Sequence, residues 1–257
     1  MYSNAIPNCA PAVFLALLSI CACSIKEDRG SCPCYLTLAL ESGAVISEEV
    51  SWFLEADAFS ERGEIVDIGV CPGSVVAVPR TEVNLSAVYG AGDCLSDDGA
   101  VNIGQGAQCP PVYLYHSVLD TRSDSLTDTI RLHKNYAVVK LSSGGSDNLS
   151  YCISGDISGY DRTGKPLDGH FDACCQGTDG IYTCRVPRQV DRTLRLNLYK
   201  DEIIVRSFPL GEYIHQSGYD WLAEDLDDID VSLDLSASEA SVEVNGWRHR
   251  LTFYIDF

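Results

Sequence analysis

Polar and apolar residues alternate with a period of two along most of the chain from Tyr35 onward. In the segment 82–90, every second residue from Val83 to Tyr89 is apolar, while Asn84 and Ser86 lie between them. This period is typical of a half-buried β-strand. The predicted strands of this first series are YLTLAL (35–40), VSWFLEADAF (50–59), EIVDIGV (64–70), SVVAVP (74–79) and EVNLSAVYG (82–90).

A second series of alternating segments begins near Tyr136. Its longest member contains Lys200-Asp201-Glu202, which we expect at the tip of a hairpin. One segment, Tyr219 to Ile229, has the i, i+4, i+7 spacing of a short helix. The predicted strands are AVVKLS (137–142), LSYCISGDISGY (149–160), GIYTCRVP (180–187), TLRLNLYKDEIIVRSFPL (193–210) and RLTFYIDF (250–257).

The spacing of the strands, with short polar breaks between them, predicts an all-β fold of antiparallel sandwiches. No stretch alternates helices with strands as a parallel nucleotide-binding sheet does. We place a domain boundary near Leu132 to Asn135, so two sandwiches of ordinary domain size account for the chain after its N-terminal segment.

The N-terminal segment has the pattern of a bacterial lipoprotein signal. Residues 12–23, AVFLALLSICAC, are too few to cross a bilayer about 30 Å thick as a helix, but they suit the apolar core of a secretory signal. Cys23 follows Ala22 and Ile20 as a lipidated cysteine follows a lipobox, whereas Cys21 follows the bulky Ile20. The alternative is a cleaved signal whose cysteines are incidental.

Lipidation of Cys23 would attach a diacylglycerol and a further fatty acyl chain such as palmitate. Burial of each CH₂ contributes about 0.8 kcal/mol, so two or three chains hold a protein firmly. The charged residues Lys26, Glu27 and Asp28 follow at once, and they resemble the surface-export signal of Bacteroidia lipoproteins. The predicted organisation is therefore a signal peptide (1–22), a lipidated tether (23–34), an N-terminal sandwich (35–134) and a C-terminal sandwich (135–257).

The net charge is −19, and no charged side chain precedes Lys26. Such an acidic surface repels phosphate backbones and anionic headgroups, which argues against nucleic acids as partners. Among the 12 cysteines, nine follow Cys23, so some disulfides are expected outside the cytoplasm and at least one of the nine lacks an intramolecular partner. Zinc is disfavoured because the Cys32-Pro-Cys34 spacing and the adjacent Cys174 and Cys175 do not form knuckles.

The sequence offers no enzyme, metal or cofactor site. The five histidines are isolated, and no GxSxG, P-loop, GxGxxG or HExxH motif occurs. Residues 220–235 carry seven carboxylates without a base. Calcium binding is one interpretation, but the spacing of a calcium loop is missing, so we favour a solvated acidic face.

The residues CSIKEDR…CPCYLTL (23–38) resemble the mature start of the Bacteroidia fimbrial anchor lipoproteins, which are the anchor subunits of type V pili. The passage from Ile130 to Leu141 and the segment VEVNGW (242–247) also resemble that family. The resemblance implies two transthyretin-like β-sandwiches, lipid attachment to the outer membrane at the cell surface, and a position at the pilus base that tethers the filament and limits its length. It also implies pilin (fimbrillin) subunits as partners.

Subunits of this family are thought to join by donor-strand exchange, which a C-terminal strand can supply. Leu251, Phe253, Ile255 and Phe257 lie on one face of the last predicted strand. The alternative is that this strand closes its own sandwich. The competing function is a surface adhesin or glycan-binding lipoprotein, for which Trp52, Trp221 and Trp247 are widely spaced in the sequence.

Overall fold

The computed structural model describes residues 32–41, 49–65, 74–144, 149–235 and 239–252. In this part of the chain a short helix, α1 (Leu210–Gln216), and a 3-10 turn (Gly92–Cys94) accompany 19 strands. The strands are β1 (Cys34–Leu40), β2 (Val50–Ala56), β3 (Phe59–Ile65), β4 (Ser74–Val78), β5 (Glu82–Tyr89), β6 (Val101–Asn102), β7 (Tyr113–Asp120), β8 (Ser125–Ile130), β9 (His133–Lys134), β10 (Tyr136–Ser143), β11 (Ser150–Tyr160), β12 (Pro166–Cys174), β13 (Gln176–Thr178), β14 (Ile181–Pro187), β15 (Arg195–Lys200), β16 (Ile203–Phe208), β17 (Ile229–Leu235), β18 (Glu239–Val244) and β19 (Trp247–Thr252).

The same strand order occurs twice. The first sandwich pairs the sheet β4-β1-β8 with the sheet β3-β2-β5-β7-β9, and the second pairs β13-β14-β10-β17-β18-β19 with β12-β11-β15-β16. In the smaller sheet of the first sandwich, β1 lies between β4 and β8, and in the second sandwich β10 lies in the same way between β14 and β17. The facing sheets also correspond, since the order β3-β2-β5-β7 in the first sandwich matches β12-β11-β15-β16 in the second. The prediction of two transthyretin-like β-sandwiches is confirmed.

One strand pair in each sandwich is parallel rather than antiparallel. Strand β1 pairs with β8 in parallel from Tyr35↔Ser125 to Leu40↔Ile130, and β10 pairs with β17 in the same way. Each of these sheets therefore joins the first strand of its sandwich to a much later one. The second sandwich then adds the β18–β19 hairpin beyond β17, whereas β8 is an edge strand in the described residues.

Two hydrophobic cores follow from the alternation. Leu36, Leu38 and Trp52 are buried in the first core, and Val139 and Leu196 belong to the larger second one. The second core also takes apolar residues from before the predicted boundary. They are Val88, Ala91, Val101, Ile103, Cys109, Val112 and Leu114.

Strand β6 is part of this contribution to the second sandwich, because Asn102 and Val101 pair with Gly159 and Tyr160 of β11. The chain between β5 and β7 thus contributes a strand to the other sandwich. The boundary near Leu132 to Asn135 stays a prediction of where the chain divides, and packing does not follow that division strictly.

Two predicted elements are wrong. The segment 50–59 is not one strand, since β2 ends at Ala56 and β3 begins at Phe59 after a turn at Asp57 and Ala58. The predicted helix from Tyr219 to Ile229 is a loop followed by the start of β17. Helix α1 lies immediately before this loop, at Leu210–Gln216.

Candidate partner-binding surfaces

The predicted lipidation and export residues Cys23, Lys26, Glu27 and Asp28 lie outside the described residues. The described chain starts at Cys32, whose carbonyl accepts a hydrogen bond of 2.9 Å from Arg80 Nε. Arg80 Nη2 also pairs with Asp124. These contacts fix the direction in which the chain enters β1 and hold Cys32 against the first sandwich.

The C-terminal strand is paired within its own sheet as far as the structure describes it. Strand β19 pairs with β18 from Trp247↔Val244 to Thr252↔Glu239, with Leu251 opposite Ala240. Of the predicted donor residues, Phe253, Ile255 and Phe257 lie outside the described residues. Donation of the strand stays a prediction, and donation of Leu251 would require this pair to open.

An Asn-Gly turn produces the β18–β19 hairpin. Asn245 and Gly246 both have positive φ, 45° and 81°, as a tight two-residue hairpin turn requires. Asn245 also exchanges two hydrogen bonds with Asp230 of β17, one through its side-chain oxygen at 2.9 Å and one through its backbone N–H at 3.0 Å. Trp247 follows and packs against Tyr213 of α1, with ring centroids 6.1 Å apart.

A second edge of the same sandwich is apolar and exposed. Among the described strands, β16 ends the sheet β12-β11-β15-β16, and Ile203, Ile204 and Val205 are 68%, 52% and 48% exposed. A register shift beside Val205 interrupts its pairing with β15. Sequence analysis placed the hairpin tip at Lys200-Asp201-Glu202 correctly but missed the exposed strand after it.

Such an edge is uncommon because proteins usually protect edge strands with charges, prolines or covering segments. An open backbone edge beside three exposed β-branched side chains suits the addition of a partner strand, which gains hydrogen bonds from the backbone and specificity from the side chains. The sequence signal was available: three consecutive aliphatic residues cannot all face the interior of a two-layer sandwich, because strand side chains alternate.

A groove of about 320 Å³ lies on the second sandwich between β11, β12 and the loop before β15. Asp156, Arg192 and Arg195 provide its charged groups, and His170 adds an imidazole. No aromatic ring other than that of His170 lines it. Ligand pockets are more often lined by apolar and aromatic side chains, so the groove suits charged ligands better than a flat apolar sugar face.

The tryptophans do not form a binding platform. Trp52 is buried in the first core. Trp221 packs edge-on against Tyr219, with centroids 4.8 Å apart, and Trp247 contacts Tyr213. The aromatic patch expected of a glycan-binding adhesin is not found among these three residues.

The acidic segment does not behave as a solvated face throughout. Asp225 Oδ1 accepts the backbone N–H of Lys134 at 2.6 Å, and Asp228 pairs with the ammonium groups of Lys134 and Lys140 at 2.7 and 2.8 Å. Burial by itself raises the pKa of Asp228, but the hydrogen bonds from the two lysines outweigh it, so the pKa lies below its usual value. These carboxylates hold the loop 219–228 against the chain between the two sandwiches.

Arg188 holds the other side of this loop. Its guanidinium donates to the carbonyls of Trp221, Ala223 and Glu224 at 2.5, 2.7 and 3.1 Å. The N–H of Leu226, which an α-helix would direct to the carbonyl of residue 222, donates instead to the Lys134 carbonyl at 3.1 Å. These contacts hold the segment as a loop in place of the predicted helix. Leu222, the first residue of the i, i+4, i+7 spacing, is 88% exposed, whereas Leu226 and Ile229 are buried.

Cysteine pairing was left open by the sequence. Among the cysteines that the structure describes, one pair forms a disulfide, Cys152–Cys174. Cys32, Cys34, Cys94, Cys109, Cys175 and Cys184 are free thiols. No cluster of three or more His, Cys, Asp or Glu side chains suited to a metal occurs in the part of the chain that the structure describes. Within the same residues, no helix is both long and apolar enough to span a bilayer.

No family model and no curated protein matches the sequence. Solved structures, in contrast, match nearly its whole length. A Bacteroides thetaiotaomicron protein provisionally described as polysaccharide-binding is 15% identical, with a TM-score of 0.63 over 85% of this chain and 98% of its own. A Bacteroides ovatus protein provisionally described as an adhesin is 12% identical, with a TM-score of 0.62 over 85% and 95%.

The fimbrial anchor protein Mfa2 from Porphyromonas gingivalis is 10% identical, with a TM-score of 0.63 over 87% of this chain and 100% of its own. At these identities the likeness establishes the fold. The chain therefore has the two-sandwich fold of a Bacteroidia fimbrial anchor, and the resemblance noted at its two ends is confirmed at that level.

Proposed function

We propose that this chain is an outer-membrane lipoprotein that anchors a type V pilus to the cell surface and limits its length. The observation that carries the proposal is the match to a fimbrial anchor over 87% of this chain and the whole of the other. The lipoprotein-like segment ending at Cys23 supplies the membrane attachment that an anchor needs.

The membrane end is short. Cys32, at the entry to β1, lies nine positions after Cys23 (32 minus 23), and nine residues span at most about 30 Å. The first sandwich would thus stay close to the lipid surface. Lys26, Glu27 and Asp28 would lie in this tether and direct the protein to the outer face.

The pilin end would lie on the second sandwich, where the C-terminal strand and the β16 edge offer strand pairing. Such a subunit would donate its strand to the first pilin while lipid holds its own N-terminus in the membrane. The filament would then begin at this subunit. Binding of pilin to such a subunit would end growth. Catalysis has no part in the proposal.

A surface adhesin or glycan-binding lipoprotein is the second candidate. It is favoured by the likeness to proteins provisionally described as adhesins and polysaccharide binders, and the groove beside His170 and Arg192 would be its site. The dispersed tryptophans argue against it.

Lipid attachment is tested by growth with an alkyne-bearing fatty acid. Wild-type protein and the matched control Cys21→Ala should carry the label, and Cys23→Ala should lose it and leave the membrane fraction. Labelling of Cys23→Ala to the wild-type level would overturn the lipid assignment.

Strand donation is tested by two truncations. Removal of 253–257 leaves the β18–β19 hairpin intact, and removal of 251–257 also takes two paired residues. If both proteins retain the wild-type circular dichroism spectrum and lose pilin capture, donation is supported. Gross unfolding of both would show that the strand closes its own sandwich.

A further inference from the structure

The strand register, extended by one residue, places Cys175 opposite Cys184. Strands β13 and β14 pair as Thr178↔Ile181 and Gln176↔Thr183, so the next pair in the same register is Cys175 and Cys184. Cross-strand neighbours in antiparallel strands have Cα atoms about 4.5–5.5 Å apart, within the range that a disulfide spans.

Cys174, the residue before Cys175, already forms a cross-strand disulfide. Cys174, the last residue of β12, lies opposite Cys152 of β11, and the two form a disulfide. Cys174 and Cys175 are adjacent, and the peptide bond between them is where the chain passes from one sheet of the second sandwich to the other. The Cys175 N–H donates to the Tyr151 carbonyl at 2.7 Å, which holds the crossing in place.

The Cys184 thiol lacks a strong partner apart from Cys175. It is fully buried, and its other contacts are weak ones, to the carbonyls of Ala173 at 3.9 Å and Arg185 at 3.8 Å. A hydrogen bond with the Cys175 thiol, together with burial, raises the pKa of Cys184 above its usual value. The Cys175 thiol is therefore a neighbour of the Cys184 thiol, as the register of β13 and β14 requires.

We propose that Cys175 and Cys184 form a second disulfide that, with Cys152–Cys174, covalently joins the two sheets of the C-terminal sandwich. Half-buried Cys175 is the accessible thiol. Its thiolate, after loss of a proton, attacks one sulfur of a small-molecule disulfide such as oxidised glutathione, and the other sulfur leaves as a thiol. The thiolate of Cys184 then attacks Cys175 in this mixed disulfide and displaces the second thiol.

In the whole reaction the two protein thiols lose two electrons and two protons, and the small-molecule disulfide gains them and becomes two thiols. The product links β11 to β14 through the sequence Cys152–Cys174–Cys175–Cys184. Two strands in opposite sheets would then resist separation covalently and not only by packing. The inference holds for an anchor or an adhesin, since it depends on the register alone.

Peptide mapping of the full chain tests the pairing directly. The protein is equilibrated with oxidised and reduced glutathione, alkylated under denaturing conditions, and digested with trypsin and Asp-N without reduction. Cleavage yields DACCQGT (172–178) and DGIYTCR (179–185), which separate Cys175 from Cys184. We expect both peptides and the Cys152 peptide in one cross-linked species.

The variant Cys175→Ser should release DGIYTCR as an alkylated peptide and keep the peptide 172–178, which then contains only Cys174, joined to the Cys152 peptide. Cys109→Ser is the matched control, because Cys109 is the other buried thiol beside Cys184, and it should leave the three-peptide species unchanged. Alkylation of both Cys175 and Cys184 in the wild-type protein, or a Cys109–Cys184 link, would overturn the proposal. Because the wild-type map decides the question, failure of a variant to fold does not affect the result.

Discussion

Arg188 Nε donates a hydrogen bond of 2.9 Å to the side-chain oxygen of Asn135, at the start of the second sandwich. The same guanidinium binds the loop carbonyls of Trp221 and Ala223. Tyr160 completes the junction, since its hydroxyl donates to the Asn135 carbonyl and accepts the Arg188 N–H. The Arg188 side chain thus connects the start of β10, the end of β14 and the loop before β17.

Replacement of Arg188 by alanine leaves several of these acceptors without a donor. We expect the free energy of unfolding to fall by about 2–3 kcal/mol, because buried polar groups that lose their partner are costly. Arg188→Lys should recover only part of the loss, since an ammonium cannot reach three carbonyls and an amide at once. Urea denaturation measures the effect.

The control is Arg62→Ala, which removes an ion pair with Asp97 at the surface. Exposed ion pairs contribute little, so its unfolding midpoint should match that of the wild type. Equal midpoints for Arg188→Ala and Arg62→Ala would contradict the role assigned to Arg188.

Asp228 should make stability depend on pH at the acidic end. Its folded-state pKa is lowered, so its contribution is present above its unfolded pKa of about 3.9 and is lost as the pH falls through the folded pKa. At neutral pH, Asp228→Asn should cost about 1–2 kcal/mol through the weaker bonds to Lys134 and Lys140. The difference between the two proteins should shrink toward zero as the pH falls below 4, and a constant difference would contradict the assignment.

The ring of Trp52 leaves no room for a side chain at position 63, which is glycine. A Cβ at position 63 would lie 2.4 Å from Cζ2 of this buried tryptophan, so Gly63→Ala must displace the ring. We expect a loss of about 1–3 kcal/mol, as for other overpacked cores. Gly104→Ala is the control, because a Cβ there meets nothing within 4 Å. Thermal denaturation of both variants, with tryptophan fluorescence as the probe, decides the point.

The Cys152–Cys174 disulfide should stabilise the second sandwich by closing a loop with a sequence separation of 22. Loss of that closure costs about 3 kcal/mol in the chain-entropy account. The double variant Cys152→Ser and Cys174→Ser should show this loss in urea denaturation. Cys32→Ser, which removes an exposed free thiol, should not, and equal stability of the two variants would argue that the disulfide contributes nothing.

If a partner strand pairs with the edge of β16, a substitution there should weaken partner binding without affecting folding. Ile204→Lys places a charge on an exposed edge, as natural edge strands do, and should lower pilin capture or self-association at least several-fold if a strand pairs there. Ile181→Lys is the control, since Ile181 is similarly exposed but is paired on both sides, with Ser142 of β10 and Thr178 of β13. Unchanged binding by Ile204→Lys would exclude the edge as a docking site.

Alternation of side chains was sufficient to predict an all-β fold of two sandwiches and many of its strands, because burial on one face sets a period of two. Strands β7, β8, β12 and β17 were not among the predicted strands. Alternation was also sufficient for the Lys200-Asp201-Glu202 tip. It failed for residues 219–229, where the decisive partner, Arg188, lies more than 30 positions earlier in the sequence. A helical period cannot show that a distant guanidinium takes the carbonyls.

The candidate sites were predictable only in part. The lipobox-like residues before Cys23 are local in sequence, so no structure is needed to find them. The pairing of Cys174 with Cys152 and the position of Cys175 opposite Cys184 depend on strand register, which the cysteine spacing does not encode. Three consecutive aliphatic residues at 203–205 indicate exposed side chains, but the position of β16 at the end of its sheet depends on the strand order, which the sequence does not show.

The central claim is that the chain holds a pilus to the outer membrane, and capture from the native host tests it most directly. The tagged protein is cross-linked mildly in intact cells, purified and analysed by mass spectrometry, with Cys23→Ala as the comparison. The account predicts a ladder of complexes that contain the lipid-bearing chain and β-rich pilin subunits, with no membrane-attached ladder for Cys23→Ala. Recovery of the wild-type chain as a monomer, or only with polysaccharide or its transport machinery, would contradict it.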